Sequence, residues 1–385
     1  MGPFLTVIVK PTLGCDLHCR HCYHTESERT EGIMDISTFE RTVRLVKEGF
    51  EHSRYIWHGG EPLLAPQSFY KKAFAVQKKY YGKSGTDNTI QTSGSLLSQR
   101  FIEFCASNRV NLGVSYEGGF EAGLRPDMDV KHVDGMVEYM VRKKHMFLVS
   151  ATIHGGNVDR MGEIYDKFRN MGASLSFNPI INLGCARENP DLALDPDIYV
   201  RNSIEIFDRW IHDRDVRTPV LPFYPYMITA MDGVANISDC PHASCLGKWI
   251  CVHPNGDVYP CGKACPKDFL LGNINEADSI SELFDSDGFR RILIRSIERR
   301  KRCSGCEIFG MCTGGCSIDA LAEGDMERPD FVSCRIYKGL MPHIRDTVTD
   351  ILGNKPDMSG YNGFVKDAIL GKLINPQIYD ASSVQ

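Results

Sequence analysis

The chain has 385 residues, of which 42% are hydrophobic and 24% are charged, and its formal net charge is −5. This length suffices for about two domains, and the mildly acidic composition gives no electrostatic basis for binding nucleic acid or an anionic membrane. No apolar run approaches the roughly 20 residues that cross a bilayer, and no secretory signal is visible. We therefore expect a cytoplasmic protein with neither nucleic acid nor membrane as a partner.

The 15 cysteines are distributed unevenly along the chain. Cys15, Cys19 and Cys22 share one short stretch, and most of the others lie between residues 240 and 334. In a reducing compartment, clustered cysteines are more often metal ligands than disulfide partners. The sequence therefore predicts two metal-binding regions.

The first predicted strand, residues 4–10, is rich in β-branched residues and leads into the Cys15–Cys22 loop. In α/β barrels, sites form on the loops that follow the strands. Three thiolates are one fewer than a structural zinc site needs, whereas a [4Fe–4S] cluster held by three cysteines keeps one iron open. The alternative at this stage is a zinc knuckle completed by one of three histidines: His18, His21 or His24.

Strands and helices alternate after this loop, which predicts a parallel sheet. The second strand runs into Gly59-Gly60-Glu61-Pro62, where the two glycines allow backbone to approach a ligand closely. The predicted strands are 54–58, 89–94, 112–118, 147–153 and 174–181, and the predicted helices are 37–50, 66–81, 133–145 and 198–212.

The Cys-x3-Cys-x2-Cys loop, with Tyr23 directly after it, resembles the signature of the radical S-adenosylmethionine (SAM) enzymes. The Gly59–Pro62 turn resembles the GGEP element of that family. The resemblance implies a partial (β/α)6 barrel and a [4Fe–4S] cluster whose open iron is chelated by SAM. Reductive cleavage of SAM would then give a 5′-deoxyadenosyl radical that abstracts hydrogen from a substrate.

The same resemblance suggests which side chains and backbone groups hold SAM. Two strand-end segments match family positions, although Ser93 replaces a common Asn and Glu117 replaces a common Asp. The candidate cofactor contacts are Gly59, Gly60, Glu61, Pro62, Ser93, Ser115, Glu117 and Arg187.

A proline-rich segment, residues 219–226, precedes the second cysteine region and predicts a packed linker or the lining of a substrate cleft. Beyond it, Asn255-Gly256-Asp257 predicts a hairpin turn that brings Cys245 and Cys261 toward one centre. The spacing Cys303-x2-Cys306-x5-Cys312-x3-Cys316, followed by Cys334, completes a pattern that resembles the SPASM domain.

The SPASM resemblance implies two auxiliary [4Fe–4S] clusters, and therefore three clusters in all. One would be held by Cys303, Cys306, Cys312 and Cys334, and the other by Cys245, Cys261 and Cys316. The fourth ligand of the second set stays open between Cys240, Cys251, Cys265 and no residue, with Cys240 the best match.

The predicted fold class is α/β, with a partial radical SAM barrel followed by a small cysteine-rich domain containing a β-hairpin and helices. The predicted divisions are 1–185 for the barrel, 186–239 for a bridging region, 240–340 for the SPASM domain and 341–385 for a helical tail.

SPASM relatives mostly modify peptides or proteins, so the expected partners are a precursor peptide or protein and a reductant such as flavodoxin or ferredoxin. In sulfatase-maturing relatives an Asp that serves as a base stands where this chain has Gly262, and Asp257 and Asp268 are the alternative candidates for that role. The sequence therefore favours formation of a thioether or carbon–carbon crosslink in a ribosomal peptide over formylglycine formation. The chain begins at the first strand, so no separate leader-binding domain is expected.

Two other classes of protein would use the same cysteines. A multi-zinc scaffold gives no reason for a Gly-Gly-Glu-Pro turn after an open triplet, and a thiol–disulfide oxidoreductase would use Cys303 and Cys306 alone. The radical SAM interpretation accounts for more of the pattern than either.

Overall fold

The computed structural model describes residues 4–30, 32–82, 85–216, 218–233, 245–263, 266–354 and 358–374. The strands are β1 Phe4–Val9, β2 His52–Trp57, β3 Thr86–Thr92, β4 Val110–Ser115, β5 Phe147–Ile153, β6 Leu175–Pro179, β7 Val220–Leu221, β8 Trp249–Val252, β9 Asp257–Tyr259 and β10 Gly272–Asn273. The helices are α1 Ile36–Gly49, α2 Gln67–Tyr81, α3 Gln99–Ser107, α4 Val130–Arg142, α5 Met161–Met171, α6 Pro196–His212, α7 Phe223–Asp232, α8 Ile280–Phe284, α9 Asp287–Cys303, α10 Phe309–Cys312, α11 Ser317–Ala322, α12 Phe331–Asn354 and α13 Gly363–Ile374.

The described strands form one sheet in the order β10-β9-β8-β1-β2-β3-β4-β5-β6-β7. All neighbours from β8 across β1 to β7 pair in parallel. A helix follows each of the first six strands, as a right-handed crossover between parallel strands requires. The predicted α/β class and the partial, unclosed barrel are confirmed.

Strand β1 is buried on both faces, whereas β2, β3 and β5 have partly exposed side chains on one face. In β1, the side chains of Leu5, Val7 and Val9 are fully buried. In β2, the ring of Trp57 packs on Phe39 of α1, with 4.9 Å between the ring centroids. Parallel strands covered by helices bury near-continuous apolar runs, which explains why these segments were recognisable in the sequence.

The predicted hairpin of the cysteine-rich region forms as β8 and β9, and it extends the barrel sheet. Strand β8 pairs in parallel with β1, so that Thr6 lies opposite Trp249 and Val9 lies opposite Val252. The carboxyl ends of β8, β1 and β2 therefore meet at one edge. This pairing places the cysteine-rich region beside the Cys15–Cys22 loop.

The proline-rich segment is not the linker that the sequence predicted, because Phe223–Asp232 forms helix α7. Pro225 lies in the first turn of this helix, where a missing backbone N–H costs no hydrogen bond. The side chains of Phe223, Tyr226 and Met227 are buried, so the aromatic residues serve the core.

Helix α12 packs against α6 and α7. It runs continuously through the predicted boundary between residues 340 and 341, and the domain boundaries remain a prediction. Among the described residues, no helix combines the length and the apolar composition needed to cross a bilayer.

Candidate active site

The cysteine loop leaves β1 at the edge where β8, β1 and β2 end. Its three cysteines are partly buried, and the backbone N–H of Cys22 donates to the carbonyl of Cys19 at 3.2 Å. Burial raises the pKa of the Cys15 thiol to about 12 and also raises the pKa of Cys19. Such thiols become thiolates when a metal centre replaces the proton.

No three His, Cys, Asp or Glu side chains of the described residues surround a point that a single metal ion would occupy. Ligands of a four-iron cluster bind different iron atoms, so their sulfur atoms need not share such a point. Whether the loop fits a four-iron cluster is therefore judged from the residues that surround its three cysteines.

Asp16, directly after Cys15, carries an unsatisfied acceptor. Its Oδ2 accepts a hydrogen bond from the Ser95 hydroxyl at 2.6 Å, but its Oδ1 is buried and has no hydrogen-bond partner among the described residues. Leaving a buried acceptor unpaired costs about 1–3 kcal/mol. A ligand with an ammonium or hydroxyl group beside the cysteine loop would satisfy it, so the residues present fit SAM.

Glu61 of the Gly-Gly-Glu-Pro turn is buried and joins the ends of β2 and β3. Its Oε1 accepts from the Thr92 hydroxyl at 2.7 Å, and its Oε2 accepts from both the backbone N–H and the hydroxyl of Ser93 at 2.9 Å. The Ser93 hydroxyl also contacts Ser95 Oγ at 2.7 Å. A continuous hydrogen-bond network thus runs from Glu61 to Asp16 beside the cysteine loop.

The two glycines of the turn pack against the backbone that precedes Cys15. A Cβ on Gly59 would lie 2.3 Å from the Thr12 carbonyl oxygen, and a Cβ on Gly60 would lie 2.0 Å from the Gly14 carbonyl oxygen. Gly59 also has a φ of 135°, which favours glycine. The turn therefore supports the cysteine loop directly, and its predicted contact with SAM remains a prediction.

We expect Gly60→Ala to lower both SAM affinity and iron content. The new Cβ collides with the Gly14 carbonyl, one residue before Cys15, and overpacking of this kind costs about 1–3 kcal/mol. Gly135→Ala is the matched control, because a Cβ there meets nothing within 4 Å. Equilibrium dialysis with SAM and iron analysis test this prediction, and normal SAM binding by Gly60→Ala would contradict it.

Glu117 is fully buried and forms a two-point ion pair with Arg125. The Arg125 Nε and Nη2 donate to the two carboxylate oxygens at 2.9 and 3.0 Å, and the backbone N–H of Thr152 donates at 3.0 Å. The remaining Nη1 of Arg125 points at the Cys19 sulfur at 3.7 Å. Burial would lower the pKa of Arg125, but Glu117 and Cys19 hold it above its ordinary value.

Arg125 is a site residue that the sequence did not reveal. Its partner Glu117 was predicted as a contact on the substrate or ribose side. The structure gives that carboxylate an internal cation, and its role toward SAM or substrate remains a prediction. The pair aims a permanent positive charge at one thiol of the predicted cluster.

The other predicted SAM contacts have partners within the protein or are buried in it. Ser115 ends β4 and accepts a hydrogen bond from Gln91 of β3 at 2.9 Å. Arg187 lies farther along the chain, where its Nη2 donates to the Ala322 carbonyl of α11 at 2.7 Å. Pro62 is buried. Their roles toward SAM remain predictions.

A nitrogen-rich cluster lies buried beneath the cysteine loop, at the ends of β8, β1 and β2. Lys10 is fully buried, and its Nζ lies 2.8 Å from His24 Nε2. The Tyr23 hydroxyl lies 3.2 Å from His58 Nδ1. Burial, together with the charge of Lys10, lowers the pKa of His24 to about 2, that of His58 to about 4 and that of His253 to about 3. The three imidazoles are therefore neutral hydrogen-bonding groups near neutral pH.

The thiols of the first predicted SPASM set lie within electrostatic range of one another. Burial raises the pKa of Cys334, and the neighbouring Cys303 and Cys306 thiols raise it further. Burial likewise raises the pKa of Cys312 to about 11, with added contributions from Cys334 and Cys303. The four cysteines of this set are therefore close enough to influence one another electrostatically, and their role as cluster ligands remains a prediction.

The second predicted set shares two basic residues. Lys263 donates from its backbone N–H to Cys261 Sγ at 3.5 Å and from its Nζ to Cys316 Sγ at 3.7 Å. Arg299 is buried and interacts electrostatically with Cys316, Cys303 and Cys245, although burial lowers its pKa. Arg299 therefore lies between the two thiol sets, and neither basic residue was identified from the sequence.

Of the three candidates for the fourth ligand of that set, Cys251 lies among the described residues. Cys240, the best match, and Cys265 lie outside the described residues. Cys251 is fully buried in β8, where burial raises its pKa to about 12 and Lys10 and Cys261 are its charged neighbours.

Comparison with known proteins assigns both regions to families. The radical SAM superfamily matches residues 9–168, and the SPASM iron–sulfur cluster-binding domain matches residues 240–307. A cysteine-type anaerobic sulfatase-maturating enzyme of Clostridium perfringens is 25% identical over 91% of this chain and 99% of its own length. A serine-type enzyme of Klebsiella aerogenes is 27% identical over 93% of this chain and 90% of its own length.

Solved structures share the fold. Native anSMEcpe with bound AdoMet and Kp18Cys peptide superposes with a TM-score of 0.80, with 24% identity over 91% of this chain and 100% of that chain. Streptococcus suis SuiB bound to precursor peptide SuiA superposes with a TM-score of 0.60, with 18% identity over 85% of this chain and 75% of that chain.

The open barrel, the cysteine loop at its carboxyl edge and the family matches together define a radical SAM enzyme. More particularly, the chain carries a radical SAM domain followed by a C-terminal SPASM domain. SAM and iron–sulfur clusters are therefore its cofactors.

Proposed function

We propose that this enzyme oxidises a cysteine or serine side chain within a polypeptide segment to the aldehyde formylglycine. The SAM-derived radical would take one hydrogen atom, and an auxiliary cluster would take the second electron as a proton leaves. For a cysteine substrate, water would supply the oxygen and the sulfur would leave as sulfide. The observation that carries the proposal is the near full-length similarity to maturases named for anaerobic sulfatases, of both the cysteine type and the serine type. A structure with the same fold holds AdoMet and a peptide together. The sequence alone ranked peptide crosslinking first, whereas this proposal ranks formylglycine formation first.

We infer three [4Fe–4S] clusters, with the ligand sets that the sequence predicted. The proximity of Cys303, Cys306, Cys312 and Cys334 supports one set, and the Lys263 contacts to Cys261 and Cys316 support another. When bound, SAM and the first cluster supply the radical that removes a hydrogen atom from the substrate.

Buried residues around the cysteine loop would hold SAM and the first cluster in fixed positions. Arg125 and Glu117 fix a charge beside Cys19, and both are buried. Glu61 and its serine network fix the strand ends against the cysteine loop. Rigid support of this kind keeps a reactive group within reach of one substrate atom.

A second candidate function is crosslink formation in a ribosomal peptide, and Gly262 is the observation that favours it. A Cβ at this position would lie 2.6 Å from Ile8 Cδ1, so an Asp at this position would require the Ile8 side chain to move. The chain thus lacks the acidic side chain that sulfatase-maturing relatives have after the equivalent of Cys261.

Anaerobic reaction with defined peptides distinguishes the two functions. We expect reconstituted enzyme, SAM and a reductant to convert peptides that span a sulfatase active-site Cys or Ser into products that react with a hydrazide probe. Serine oxidation and crosslinking both remove two hydrogens, so mass alone does not separate them. Only the aldehyde is labelled by hydrazide, and only a crosslink suppresses fragment ions between the joined residues.

The same assay is run with short peptides encoded beside this chain. Hydrazide labelling of the sulfatase peptides supports the first function. Unlabelled products that lack internal fragment ions would replace it with the second. No change in either peptide set, while SAM is still cleaved, would overturn both.

A further inference from the structure

Helix α9 is unusually basic for a chain of net charge −5. Its acidic residues are only Asp287 and Glu298. Its basic residues are Arg290, Arg291, Arg295, Arg299, Arg300, Lys301 and Arg302. Of these, Arg299 is buried among the cysteine sets, and most of the others reach solvent. Positive charge is thus concentrated on one outer helix of an acidic protein.

Two large apolar side chains lie exposed on the same face of this helix. Ile294 is 61% exposed and Ile297 is 43% exposed. Helical spacing puts them on one stripe with Arg290 and Lys301. An apolar centre surrounded by charge is the usual anatomy of a protein–protein interface.

Internal ion pairs use only part of this charge. Arg290 pairs with Asp287 at 3.4 Å within the same helix, and Lys301 pairs with Glu298 at 2.7 Å. Among the residues that the structure describes, Arg291 and Arg300 have no carboxylate partner. A field of this sign attracts an acidic partner at a distance and speeds its association.

Helix α9 ends at a predicted cluster ligand. Its last residue is Cys303, and the following turn carries Cys306, both of them partly exposed. Ser304 and Gly305 between them are exposed. This turn is therefore a place where a redox centre held by these cysteines comes close to the surface, within reach of an electron carrier docked on the helix.

We propose that the exposed face of α9, from Arg290 to Lys301, docks a small acidic electron-carrier protein of the flavodoxin type. The proposal rests on the cluster ligands inferred above but not on which peptide the enzyme modifies. Opposite charges would steer the carrier, and Ile294 and Ile297 would supply apolar contact. The reduced carrier would lose one electron, and a cluster held by Cys303 and Cys306 would gain it.

Charge-reversing substitutions on α9 test the proposal through the affinity for flavodoxin rather than through catalytic activity. We expect Arg290→Glu/Arg291→Glu to weaken binding of an acidic flavodoxin by about tenfold or more at low salt. The matched control is Lys71→Glu/Lys72→Glu, which makes the same charge change on the exposed side of α2. Calorimetry on the anaerobically reconstituted enzyme measures both, and high salt should remove most of the difference.

Two further measurements keep the outcome interpretable. Iron content and SAM cleavage driven by dithionite, which needs no carrier protein, should match the wild type in both double variants. If the α9 double variant loses iron, Ile294→Ser replaces it, and weaker flavodoxin binding is expected from this exposed position alone. The proposed function is judged separately, by the peptide products obtained with dithionite.

Three results would overturn the docking proposal. These are no flavodoxin binding by the wild type at low salt, equal weakening in the α9 and α2 variants, and a loss of substrate-peptide or RNA binding in the α9 variant with flavodoxin binding intact. The last result would reassign α9 to another partner.

Discussion

Replacing Cys15, Cys19 and Cys22 together by Ala should remove about four of roughly twelve iron atoms per chain. SAM cleavage should fall to the background rate. The physical reason is that these three thiols belong to one loop, and the cysteines of the SPASM region lie in other elements. Iron analysis after anaerobic reconstitution and chromatography of the SAM products measure the two effects.

A cysteine outside the predicted ligand sets provides the control. Cys105 is fully buried in α3, and burial raises its pKa to about 12. Cys105→Ala should keep all the iron and retain SAM cleavage, at a modest cost in stability. Unchanged iron in the triple variant would contradict the assignment of the first cluster.

Local patterns explain why the barrel and the cysteine loop were predictable. Residues 4–10 were predicted as a strand, and β1 covers Phe4–Val9, because β-branched residues before a proline specify an extended segment. The cysteine spacing also lies within one loop, so no knowledge of the fold is needed to group those thiols.

Long-range packing explains what was not predicted. Arg125 and Cys19 are separated by 106 positions, and only the folded sheet brings them together. The pairing of β8 with β1 likewise joins segments that are far apart in sequence, because Thr6 and Trp249 are separated by 243 positions. Sequence spacing carries no signal for such contacts, and a single sequence offers no covariation to reveal them.

The role of the Gly-Gly-Glu-Pro turn was also only partly predictable from the sequence. Gly59 and Gly60 were predicted to let the backbone approach a ligand, and that contact remains a prediction. The structure shows that the two glycines make room for the backbone at Thr12 and Gly14. Both interpretations follow from the absence of a Cβ. Only coordinates tell which neighbour fills the space.

Substitutions in the ion pair of Arg125 and Glu117 should change the unfolding free energy and the potential of the first cluster in different ways. Arg125→Met leaves the buried Glu117 carboxylate without its cation, which should cost about 3–5 kcal/mol of unfolding free energy. Adding Glu117→Gln removes the stranded charge and keeps an acceptor for the Thr152 N–H, so most of that stability should return. Denaturant unfolding measures both changes.

The midpoint potential of the first cluster should behave differently from stability. Reduction adds negative charge near Cys19, so loss of the Arg125 cation should lower the potential on the order of 100 mV in the single variant. The double variant should keep part of this shift, because the Glu117 carboxylate acts on Cys19 more weakly than Arg125 does. Arg169→Met is the control, because Arg169 makes a comparable two-point pair with Asp213 rather than facing a cysteine. Redox titration followed by electron paramagnetic resonance measures the shift. A double variant that recovers both its stability and its potential would reduce Arg125 to a structural brace, whereas recovery of stability alone would establish it as the residue that tunes the cluster.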